Sequence, residues 1–112
     1  MRQGTTDLMI EYAVACLASD DHQQIKAMVR EMARSWPNEA ALGIAFAITS
    51  AASFYEDSID TQSSKRSTRL GYRMAALVAA DIYAVESMGQ SPAKGQDLLH
   101  FWRRVDPYFL ED

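Results

Sequence analysis

Two stretches of this chain carry almost no charge, positions 40 to 55 and 74 to 85, with Asp81 the single exception. A helix with so little polar face has to be surrounded on nearly all sides, and a short chain offers few ways to surround one. Between the two stretches the charges fall into an acidic cluster, Glu56, Asp57 and Asp60, followed directly by a basic one, Lys65, Arg66, Arg69 and Arg73. Whatever fold the chain adopts has to bury two apolar segments and bring those opposite clusters close together.

With 112 residues the chain has room for one core, because a second domain would be too small to bury its own. Hydrophobic content of 48% against 23% charged excludes a disordered or fibrous class. The net charge of -4 argues against a nucleic-acid coat. A lone cysteine, Cys16, has no intramolecular partner and sits among Val14, Ala15 and Leu17, so it reads as a small buried hydrophobe in a reducing, cytoplasmic setting. Leu8 to Ser19 has the look of a secretory apolar segment, but Asp7 and Glu11 interrupt it and only Arg2 supplies positive charge, which predicts no secretion. The uncharged run at 40 to 55 is shorter than the roughly 20 residues of a membrane span, which predicts no membrane association.

Long segments rich in Ala, Leu, Met and Glu, punctuated by few Pro and Gly and without sustained alternation, predict an all-α fold. The expected helices run near 6 to 18, 21 to 35, 38 to 60, 64 to 88 and 92 to 105, as a single-domain up-and-down bundle of five. Thr5 or Thr6 is the expected cap of the first helix, and Asp20 with Gln23, or Asp21 with Gln24, that of the second. The second helix is the clearest amphipath, with Ile25, Met28, Val29, Met32 and Trp36 on one face and Lys26, Arg30 and Arg34 opposite. Small residues in the third helix and at Ala76, Ala80 and Ala84 in the fourth predict a tight antiparallel hairpin, with the first, third and fourth helices forming the interior. Gly89 suits a left-handed helix end, and Ser91-Pro92 a cap and first turn of the fifth helix. Tyr108, Phe109 and Leu110 are too apolar to leave in water, so the C-terminal segment is expected to dock.

Chemistry is sparse. Two histidines do not make a metal site; Asp97 and His100 form half a chelate, and a di-iron bundle would need a second such pair. No nucleophile elbow and no phosphate-cradling glycine loop is present, so neither an enzyme nor a cofactor is expected. The basic run Lys65, Arg66, Arg69 and Arg73 is the best lead to an anion or nucleic-acid contact, weighed against mutual pairing with Glu56, Asp57 and Asp60 at the hairpin tip. The leading expectation is a non-enzymatic binding or assembly module that works as a homodimer. Its expected interface is the small-residue faces at Gly43, Ala47, Ser50, Ala51, Ala76, Ala80 and Ala84. A further protein partner is a second possibility. The alternatives are an anion- or nucleic-acid-binding regulator and a bundle holding a small apolar ligand beside Tyr55, Tyr72 or Tyr83.

Overall fold

A computed structural model describes residues 4–58 and 62–112, apart from the Ser63 side chain, as an all-α single domain. Five helices follow in order: α1 (Thr5–Ala18), α2 (His22–Ser35), α3 (Ala41–Ser58), α4 (Gln62–Ser87) and α5 (Gly95–Arg104), with a 3-10 turn at Tyr108–Leu110. Among the described residues there is no strand, only one antiparallel bridge between Ala40 and Lys94.

The molecule is a slab measuring 42 × 36 × 19 Å. Its thin dimension matches two helices stacked at the usual 8 to 10 Å separation, about 10 Å each. In one layer α3 lies between its most extensive neighbours, α4 and α1; α2 and α5 pack on each other and reach back to α1, α3 and α4. The interior expected for helices one, three and four is therefore not closed. These helices form one layer, and among the described residues no helix lies above its outer side. The core lies between the layers, where Leu17, Ile25, Met28, Met32, Ile44, Ile48, Met74, Leu98 and Trp102 are fully buried.

The α3–α4 hairpin forms, but with a different seam from the one expected. Gly71 sits where a Cβ would come within 3.1 Å of the Leu17 side chain and 3.3 Å of the Ala52 methyl, so its lack of a side chain lets α4 approach α1 and α3 together. Ala76 and Ala80 face outward instead.

One local pairing shortens two helices relative to expectation. The Ala41 N–H donates to the Ala93 carbonyl at 2.8 Å, and the Gly95 N–H donates to the Glu39 carbonyl at 3.0 Å. That exchange bridges Ala40 to Lys94, so α3 starts at Ala41 rather than 38, and α5 at Gly95 rather than 92. Ser91-Pro92 does not open the helix; the Asp97 carboxylate closes its first turn by accepting from the Lys94 N–H at 2.8 Å. At the first helix the cap position is Gly4, not a threonine, and no side chain caps it. Asp21 caps α2 by accepting from the Gln23 N–H at 3.0 Å. Gly89 ends α4 as expected, at φ 103°: its N–H reaches the Glu86 carbonyl, and the Gln90 N–H reaches that of Val85, the paired bonds of a Schellman motif.

The C-terminal segment docks. Phe109 is 1% exposed and its ring centroid lies 5.0 Å from that of Trp102. The basic stripe of α2 holds the segment from outside: the Lys26 ammonium sits 4.1 Å above the Tyr108 ring, and Arg30 donates to the Leu110 carbonyl at 3.4 Å.

Candidate functional site

The uncovered side of the α3–α4 hairpin is where the two charge-free stretches meet water. On α3 the positions 42, 46 and 49 recur one helical turn apart, and on α4 so do 72, 76, 79 and 83, which puts each set on a single stripe. Leu42 is 67% exposed, Phe46 57% and Tyr83 77%, unusual values for side chains of that size. Between the stripes runs a groove of about 540 Å³, lined by Leu42, Ala45, Phe46, Thr49, Tyr72, Ala75, Ala76 and Ala79. Its floor is formed by the buried methyls of Ala45 and Ala75. No ionisable acid or base lines it apart from the Tyr72 phenol, whose O–H donates outward to Glu56 Oε1 at 3.3 Å.

The residues expected at a dimer interface divide. Ala76 and Ala80 are exposed, and Ala84 and Ser50 are half-buried. Ala47 and Ala51 are fully buried in the chain's own core, so they have no surface left for a second copy. Gly43 points toward α1, since a Cβ there would meet the Met9 side chain at 3.7 Å. The reason is geometric: a stripe of small residues fits the inside of a bundle as well as a contact between molecules, and the core takes Ala47 and Ala51. Neither Leu42 nor Phe46 is among the site residues that the sequence points to. The available signal at Phe46 is a bulky side chain at helical spacing within a stripe of small and polar residues, Glu39, Gly43, Ser50, Ser53, Asp57 and Asp60.

The members of the basic run differ in their partners. Arg66 turns across the molecule to Asp20, with 3.7 Å between its Nη2 and Oδ2. Lys65 is engaged in a contact of its own. Among the described residues no ion pair forms at Arg69 or Arg73. Asp60, one of the three acids expected to pair with this run, lies outside the described residues. Of the other two, Glu56 receives the Tyr72 hydroxyl.

The three tyrosines considered for an apolar ligand occupy different environments: Tyr55 is buried, Tyr72 lines the groove and Tyr83 stands in solvent. Asp97 is occupied at the start of α5, and among the described residues no three His, Cys, Asp or Glu side chains group as metal ligands would. Burial pushes the Cys16 thiol above its ordinary range, with weaker opposing hydrogen bonds from Tyr12 and Gln24, which keeps it protonated. Burial and the neighbouring Cys16 also push the Tyr12 phenol up to about 12. Among the described residues no helix is long and apolar enough to cross a membrane. Comparison with protein-family models, with curated proteins and with solved structures found no match.

Proposed function

We propose that this chain is a non-enzymatic assembly module that pairs with a second copy of itself through the outer face of α3 and α4. The observation that carries the reading is a ridge next to a groove on one surface. Phe46 and Leu42 project beside a trough floored by Ala45 and Ala75 and edged by Ala76 and Ala79. A two-fold interface uses the same patch on both subunits, so it has to offer both shapes at once. Phe46 of one copy then seats in the alanine trough of the other. An ordinary interface of about 800 Å² per partner exceeds the groove alone, so Tyr83 and Ala80 belong to it as well. The absence of formal charge on the groove lining favours close contact, because no buried ion has to be desolvated. The buried free thiol at Cys16 is in keeping with a reducing, cytoplasmic setting.

Light scattering of the full chain at micromolar concentration tests this. The wild type is expected to give twice the mass of the chain, and Phe46→Glu and Ala76→Glu to give the monomer mass, with helical circular dichroism unchanged. A monomeric wild type refutes self-association and leaves a different protein as the occupant of the same face.

A further inference from the structure

We infer that the cleft between the start of α2 and the first half of α4 binds a small phosphomonoester, at a site separate from the pairing face. The cleft encloses about 270 Å³ and is lined by Arg66, Arg69 and Arg73 on α4, by His22 and Ile25 on α2, and also by Asp20, Ser67 and Leu70. Positions 66, 69 and 73 are three and four residues apart, so three guanidinium groups project from one side of one helix. The single carboxylate on the wall is Asp20. It accepts from the Ser67 hydroxyl at 3.2 Å and lies 3.7 Å from Arg66, which leaves Arg69 and Arg73 without an ion-pair partner among the described residues.

The carboxylate is held there by an unusual backbone. Asp20 has φ 53°, the left-handed region that non-glycine residues rarely adopt, at the junction of α1 and α2. This turn reverses the chain and directs Asp20 onto α4, where it anchors Arg66 at the edge of the cleft. Three arginines against one carboxylate leave the lined wall about two charges positive, the complement of a phosphomonoester dianion. Guanidinium forks match phosphate oxygens in pairs, and the His22 imidazole adds a further polar group. Ile25, which is buried, and Leu70, which is half-buried, give the cleft an apolar floor, suited to a small organic body attached to the phosphate. The volume falls just below the usual range for drug-sized ligands, about 300 to 1,000 Å³, and so fits a small one.

A nucleic-acid backbone is disfavoured by where the remaining positive charge lies. Binding a strand requires a basic track several phosphates long. The second basic stripe is committed elsewhere: Lys26 covers Tyr108, Arg30 holds Leu110 and lies 3.7 Å from Asp112, and Arg34 pairs with Glu31 at 3.1 Å. Of the two basic stripes, it is the α4 arginines that line a cleft.

The test is an NMR titration of the full chain, at fixed ionic strength, with phenyl phosphate, inorganic phosphate and a short oligothymidylate as separate probes. Phenyl phosphate is expected to shift the amides of residues 20 to 25 and 66 to 73, to bind more tightly than inorganic phosphate, and to saturate by about 10 mM. Arg69→Ala and Arg73→Ala, both on exposed positions, are each expected to weaken it about tenfold, with Arg69→Lys losing less. No shift at the cleft, shifts confined to other residues, or unchanged binding in the double alanine variant overturns the inference. Binding of oligothymidylate with steep salt dependence while phenyl phosphate fails to bind overturns it too, in favour of a nucleic-acid contact. Oligomeric state is read separately by light scattering, so a failed cleft does not touch the pairing proposal.

Discussion

The Trp102 indole Nε1–H donates to Oδ2 of Asp81 at 2.9 Å, joining a fully buried ring on α5 to the one acid inside the charge-poor stretch of α4. That bond explains why a carboxylate interrupts an otherwise apolar segment. A buried indole N–H needs an acceptor, and Asp81 supplies it. Burial nevertheless raises the Asp81 pKa, with Asp106 adding to the rise and the Trp102 bond opposing it.

The sign of that shift sets a pH dependence. A carboxyl whose folded pKa is raised contributes stability that is complete below its unfolded pKa, about 4, and is lost as pH climbs through the folded value. Asp81→Asn keeps an acceptor for the indole and removes the titration. Urea midpoints are expected to favour the Asn variant over the wild type increasingly from acid pH toward neutrality, whereas parallel curves would show that Asp81 does not titrate in this window. Asp81→Leu, which strands the buried N–H, is expected to lose about 1 to 3 kcal/mol.

Gly95 is required by a close approach. A Cβ there would fall 2.7 Å from the Trp36 carbonyl oxygen, a backbone atom that has no rotamer with which to give way. Gly95→Ala is expected to destabilise the chain by about 1 to 3 kcal/mol despite the better helix propensity of alanine, measured by chemical denaturation. A neutral or stabilising result would mean that the start of α5 shifts freely.

Phe109 ties the C-terminal segment to the second layer through Trp102 and the 3-10 turn at Tyr108–Leu110. Phe109→Ala is expected to destabilise by about 3 to 5 kcal/mol, as for other fully buried phenylalanines. Lys26→Ala removes the cation above Tyr108 and is expected to lose only about 0.5 to 1 kcal/mol, since that contact lies near the surface. An unchanged melting temperature after truncation at Pro107 would refute docking of this segment.

Cys16 is buried and its thiol pKa is raised, so the thiolate needed for reaction is scarce in the folded chain. Native protein at mildly alkaline pH is expected to react with a thiol-specific disulfide reagent only as fast as it opens, and completely in denaturant. Immediate labelling of the folded chain would show that the α1–α2 contact is open to solvent.

Periodicity and local chemistry made part of this fold legible in advance. In α2 the contrast between Ile25, Met28, Val29 and Met32 and the charges opposite leaves one orientation, and those four side chains are buried. Gly89 announced its helix end because few other residues adopt its backbone angle. The apolar C-terminal residues announced their docking through the cost of leaving them in water. Other features depend on how the helices pack on one another. In α3 both sides consist of Ala, Ser and large apolar residues, so no contrast says which side faces in; the folded chain buries Ala47 and Ala51 and leaves Phe46 outside. The starts of α3 and α5 depend on a pairing between residues more than fifty positions apart, at Ala41 and Ala93. The basic run was legible as charge, but its gathering with His22 around one cleft depends on Asp20, whose reach to Arg66 and Ser67 spans two helices. Contacts of this kind arise from how layers stack, and no local pattern in a sequence encodes which helix will lie above which.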